Sequence, residues 1–102
     1  MTVKINTKDG QIELSDDVIA TVVGGSATEI FGVVGMASKS VVKSTESGIS
    51  VDVYTVMSYG VKISEVSKNI QERVKFNLEN QLGLSADMVN VYVQNIKVVG
   101  ED

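Results

Sequence analysis

Residues 49–58 alternate without a break. Ile49, Val51, Val53, Thr55 and Met57 fall on one side, and Ser50, Asp52, Tyr54, Val56 and Ser58 on the other. A period of two predicts a half-buried strand. Val3 with Ile5, and Ile12 with Leu14, alternate in the same way around the turn signal Thr7-Lys8-Asp9-Gly10, which predicts a hairpin over residues 3–14. Ser15 then reads as an N-cap, with Asp16 and Asp17 at the positive end of a helix. Val18, Ile19, Val22, Val23, Ser26 and Ile30 share one face of it at helical spacing. Gly24 and Gly25 lie inside this pattern, and each costs about 1 kcal/mol relative to Ala, so close packing of another backbone, or a bend, is expected there. Gly32 reads as the helix stop. Residues 33–42 read as extended, with a bulge at Gly35, and residues 45–48 as a turn. A second helix is expected to start at an N-cap on Ser64, to bury Ile63, Val66, Ile70, Val74, Leu78 and Leu82, and to end at Gly83 in the left-handed region. Residues 88–98 alternate again, with Val89, Val91 and Val93 on one face, before a fraying tail at Gly100, Glu101 and Asp102.

The order β-β-α-β-β-α-β predicts an α+β domain. Its form is a two-layer sandwich, a mainly antiparallel sheet with both helices on one face, and ferredoxin-like connectivity is the default. At 102 residues, with no Pro and no Ser/Gly linker, the chain (1–102) is expected to be one domain.

Composition removes several kinds of chemistry. Without Cys there is no disulfide, thiolate nucleophile or zinc–thiolate site. Without His the commonest general base and transition-metal ligand are missing, and a Ser-His-Asp triad is excluded. Asp16 and Asp17 are adjacent at a helix start and point about 100° apart, so they read as solvated caps rather than a shared metal site. The glycines at 24, 25, 32 and 35 do not follow a strand and open a helix, as a dinucleotide fingerprint must. The expectation is therefore no enzyme, no metal and no cofactor. Nine basic residues scattered among thirteen acidic ones give a net charge of −4, against the basic surface that nucleic acid or anionic lipid requires. There is no signal peptide and no apolar run of membrane-spanning length, so no direct membrane insertion is expected.

Two sets of side chains remain. Phe76 lies about 140° from the centre of its helix's apolar stripe, among Asn69, Glu72, Arg73 and Asn80. With the strand-to-helix turn at Tyr59 and Gly60, where a positive φ is expected, this defines a candidate partner-binding surface of Tyr59, Gly60, Asn69, Glu72, Arg73 and Phe76. Tyr54 and Tyr92 occupy the polar alternation of their strands and are expected on the sheet face away from the helices. Such a face can stack on RNA bases, but the Lys and Arg that would accompany it are missing.

Several motifs occur in order: Gly10-Gln-Ile-Glu-Leu-Ser-Asp-Asp-Val-Ile-Ala20, Glu29-Ile-Phe-Gly-Val-Val-Gly-Met36, Tyr59-Gly-Val-Lys-Ile63, Asn69-Ile-Gln-Glu-Arg-Val74 and Val91-Tyr-Val-Gln-Asn-Ile96. In these the chain resembles the alkaline shock protein family, the cell-envelope stress-response proteins of Gram-positive bacteria, over residues 10–96. It departs in a short segment between Met36 and Ile49 and in having no long tail to reach a membrane anchor. The resemblance implies a non-enzymatic cytoplasmic protein that lies at the membrane through a partner. It also implies a role in envelope stress or homeostasis. The expected function is a protein-interaction module whose partner is a membrane-anchor protein or another copy of itself. The alternative is a small-ligand-binding regulatory domain linked to lipid metabolism, which a deep apolar pocket would favour.

Overall fold

The structure is a computed structural model and describes residues 2–98; the expected fraying tail at Gly100, Glu101 and Asp102 lies outside them. Its elements are β1 (Thr2–Thr7), β2 (Gly10–Ser15), α1 (Asp16–Thr28), β3 (Val33–Met36), β4 (Val41–Ser44), β5 (Ile49–Ser58), α2 (Ile63–Asn77), a π turn (Leu78–Leu82) and β6 (Ala86–Lys97).

The strand read from strict alternation is the centre of the molecule. β5 buries Ile49, Val51, Val53, Thr55 and Met57. β3 and β4 both pair antiparallel with one of its edges, Met36 opposite Thr55 and Val41 opposite Asp52. The stretch 33–42 is therefore two strands rather than one. Residues 37–40 face only Val53 and Tyr54, and the surplus backbone bends away from the sheet. The ladder slips at Val34, between Val33 and Gly35, one residue before the bulge expected at Gly35. β6 lies on the other edge of β5 and pairs with it in parallel, Val51 opposite Val89 and Tyr54 opposite Tyr92. Parallel neighbours need a crossover connection, and α2 supplies it here. Three of the four strand pairings are antiparallel, and the longest is parallel.

Both helices cover the inner face of this sheet. Ile19, Val23 and Ala27 of α1 meet Val66, Ile70 and Val74 of α2 and the inner residues of β5 in one apolar core. The fold class is thus α+β, as the pattern predicts. Its connectivity is not ferredoxin-like: β2, the strand before α1, pairs only with β1 and stays outside the main sheet.

Local chemistry explains the ends of the helices. Ser15 caps α1, its hydroxyl accepting from the Val18 N–H at 3.2 Å. The cap of α2 is Lys62, not Ser64, and its side chain makes no capping bond. α2 starts two residues earlier than that cap would place it, after Gly60 at φ 94° has turned the chain out of β5. Ile63 is consequently in the first turn and 42% exposed, rather than part of the core. Gly83, at φ 68°, ends the π turn in the left-handed region, as expected. Gly24 and Gly25 are not at a close contact: a Cβ on either would meet nothing within 4 Å. Their place is explained by no packing demand.

Candidate protein-docking face

The C-terminal end of α1 and the outer side of α2 lie side by side. Asn77, buried on α2, donates to the Ser26 hydroxyl of α1 at 2.8 Å. One turn along, Arg73 Nη1 meets Glu29 Oε1 at 3.1 Å. These two contacts tie the helices together at this end.

Phenylalanines stand on both sides of the Arg73–Glu29 pair. Phe76, on α2, is 63% exposed, and Phe31, just after α1, is 90% exposed. Phe31 is held out by the turn that follows it. Gly32 takes φ 101°, and a Cβ there would touch Val66 Cγ2 at 3.0 Å, so the chain passes close over α2 and leaves Phe31 no room inside. Glu29, Ile30, Phe31, Asn69, Glu72, Arg73 and Phe76 line one open groove. A second hollow, on the other side of Phe31, is lined by Gly32, Val33, Val34, Ser58 and Val61.

Asn69, Glu72, Arg73 and Phe76 therefore come together, as the sequence places them. Tyr59 and Gly60 do not line this groove. They sit on the turn between Ser58 and Val61, the residues that border the second hollow. Tyr59 is exposed, and its N–H donates to the Lys97 carbonyl at 2.7 Å, which anchors the turn to the end of β6. Helical spacing singles out neither Phe31 nor Glu29. The signal present in the sequence is an aromatic immediately before the glycine stop, off the apolar stripe of α1. Gln71, next to this face, points the other way and donates to the Val89 carbonyl of β6 at 3.0 Å.

On the opposite side of the molecule Tyr54 and Tyr92 are on the outer sheet face, as expected. Their rings stack with centroids 5.0 Å apart and planes 15° from parallel. Beside them the Asp52 carboxylate accepts from Asn90 at 3.0 Å and lies 3.7 Å from Lys43 Nζ. The groups on this face thus satisfy one another. Among the described residues no three His, Cys, Asp or Glu side chains gather in a way that could hold a metal ion. No helix among them is long and apolar enough to cross a membrane.

A chain with this fold and these faces has known relatives. It belongs to the alkaline shock protein family, described as having a cell envelope-related function, whose model matches residues 4–44 and 40–98. The Spy1614 protein of Streptococcus pyogenes serotype M6 is 79% identical over the whole of both chains. YloU of Bacillus subtilis strain 168 is 41% identical over 96% of this chain and 98% of its own. The alignment with Spy1614 runs over 121 positions, so that relative has residues with no counterpart in this 102-residue chain. The two family matches meet at residues 40–44, inside the segment between Met36 and Ile49 that reads as short. Among solved structures, a MamM-CTD variant superposes with a TM-score of 0.58 at 12% identity, over 81% of this chain and all of that one. The copper form of another MamM CTD variant gives the same TM-score at 11% identity. At that identity the likeness concerns the fold alone.

Proposed function

We propose that this protein is a non-enzymatic protein-interaction module of the cell envelope, working from the cytoplasmic side. Its docking face is the groove between α1 and α2 that Phe31 and Phe76 flank. The observation that supports this most is the pair of exposed phenylalanines around a fixed Arg73–Glu29 ion pair. Aromatic and Arg side chains are the types that most often carry binding energy at protein interfaces, where neighbouring contacts exclude water from them. The proposed partner is a protein that brings the module to the membrane, which agrees with a cell envelope-related family and a chain whose described helices do not span a bilayer.

The regulatory-domain reading is less well supported. The hollows on this surface are open, and none combines an enclosed apolar lining with converging polar groups, as small-molecule sites do. The test is crosslinking in intact cells followed by identification of captured proteins, with wild type compared against Phe31→Ala with Phe76→Ala. The proposal expects one envelope-associated protein to be captured by the wild type and lost in the variant, with thermal stability retained. Capture undiminished in a folded variant would move the docking face elsewhere.

A further inference from the structure

β6 is a long edge strand, and among the described residues it pairs with β5 on one side and with no strand on the other. Natural sheets blunt such edges with charges, prolines, bulges or short strands. The opposite edge of this sheet is blunted: β3 and β4 are short, separated by a bend, and carry Lys43. β6 has no Pro and no charged residue between Asp87 and Lys97. Its ladder with β5 runs in unbroken register over residues 88–93 and is irregular on either side. This segment, Met-Val-Asn-Val-Tyr-Val, is a bulge-free, uncharged edge rich in valine. Met88, 59% exposed, and Tyr92, 44% exposed, stand on its outer face.

The backbone groups of the segment are aimed outward at alternate residues. The Tyr92 carbonyl is turned toward β5, where Thr55 Oγ1 donates to it at 3.2 Å. The Val89 carbonyl is turned away from β5 and receives Gln71. Val89 and Val91 therefore present N–H and C=O at the free edge, and a carbonyl that holds Gln71 keeps a second lone pair.

We propose that this edge pairs with a second copy of the same chain, antiparallel about a two-fold axis through Asn90 and normal to the sheet. In that register Val89 and Val91 of one copy exchange backbone hydrogen bonds with Val91 and Val89 of the other. On the outer face Met88 lies opposite Tyr92 of the second copy, a sulfur–aromatic pair, and the reverse pair repeats it. Asn90 meets its own counterpart on the axis. Centring the axis on Tyr92 instead would bring Gln94 and Ile96 into the pairing, beyond the irregularity, where the faces no longer match. A two-fold axis normal to the sheet keeps α2 of both copies on the same side. Each α2 then faces the groove of about 380 Å³ that Lys68, Gln71, Glu72 and Lys75 form with the start of β6. The result is one continuous sheet through two molecules, with the Phe31/Phe76 faces left outside the contact.

The test is sedimentation velocity of the full chain over a wide concentration range. Wild type is compared with Met88→Glu plus Tyr92→Glu and with Met88→Lys plus Tyr92→Glu. In the proposed register the first variant sets like charges opposite each other twice, and the second sets opposite charges there. The expected result is a reversible wild-type dimer, weakened about tenfold or more in the double-glutamate variant and largely restored in the lysine–glutamate variant. A wild type that stays monomeric, a double-glutamate variant that dimerises as well as wild type, or a lysine–glutamate variant no better than it would each overturn the proposal. Amide exchange of wild type decides the matter even if the variants do not fold. The Val91 N–H is expected to gain protection as concentration rises, and a dimer that leaves it unprotected contradicts the proposed edge.

Discussion

The side chain of Asn77 donates to the hydroxyl of Ser26 across the α1–α2 contact, and both residues are buried. The Ser26 hydroxyl in turn donates to the Val22 carbonyl at 2.6 Å. The two residues thus form one short buried chain of hydrogen bonds between the helices, beside the more exposed Arg73–Glu29 pair. Removing either end leaves a buried polar group short of a partner, which costs about 1–3 kcal/mol. Asn77→Ala and Ser26→Ala are each expected to lower stability by an amount in that range. The double variant should cost clearly less than the two together, as coupled neighbours do. Urea denaturation of the four proteins measures it; additive effects would mean that the bond contributes nothing to the folded state.

Ile70 and Phe76 lie on one helix and should behave oppositely. Ile70 is fully buried, and Ile70→Ala is expected to cost about 2–5 kcal/mol. Arg73→Ala with Phe76→Ala removes an exposed ion pair and an exposed ring, and should cost no more than about 1 kcal/mol. Thermal melts of the two variants compare them directly. A double variant as unstable as Ile70→Ala would assign Phe76 to the core.

Two glycines separate steric need from conformational need. A Cβ at Gly48 would lie 2.2 Å from the backbone oxygen of Ser85, and this turn is also tied down by Ser47, which donates to Asp87 at 2.9 Å. Gly48→Ala must move one backbone segment or the other and is expected to cost about 2 kcal/mol or more. Gly60→Ala meets open space, and only its φ of 94° opposes the change, at about 1–2 kcal/mol. Chemical denaturation should rank Gly48→Ala as the more damaging. The reverse order would show that the turn after β5 is the stricter of the two.

Asp17 supplies a pH dependence. A hydrogen bond from Lys39, reinforced by that lysine's charge, holds the Asp17 carboxyl below the usual carboxylate range. Because the folded pKa lies below the unfolded one, the contribution is complete above the unfolded value. It fades as pH falls through the folded value. Both groups are exposed, so the effect is small and salt-sensitive. The melting-temperature gap between wild type and Asp17→Asn should be visible at neutral pH in low salt. It should close on acidification and on addition of salt; a gap that widens in acid would contradict the assignment.

How far the sequence predicts this molecule follows from the range of the forces involved. The Ser15 cap, the left-handed Gly83, the positive φ of Gly60 and the alternation of β5 are set by residues next to each other in sequence, and all are present. The parallel direction of β6 depends on how the helix before it crosses the sheet, which no local pattern records. Periodicity does not show that one extended stretch divides into β3 and β4, because the cause is a mismatch in length against β5. Angle alone puts Ile63 in the apolar stripe. Its helix begins two residues earlier than the Ser64 cap suggests, so that angle brings the side chain to the rim. On the candidate face the angular argument places Phe76 correctly. Phe31 escapes it because its exposure comes from a turn, not from a helix face.

The molecule, in which the hairpin of β1 and β2 pairs with no other described strand, measures 55 Å along one axis against 21 and 19 Å along the others. The radius of gyration is 14.6 Å, where a compact chain of this length has about 13 Å. A rod of these proportions diffuses more slowly than a sphere of equal mass. On a sizing column calibrated with globular standards a single 10.9 kDa chain will therefore elute early and imitate a larger species. Elution volume alone would mistake shape for stoichiometry in this protein, and only a measurement that weighs the particle can count its chains.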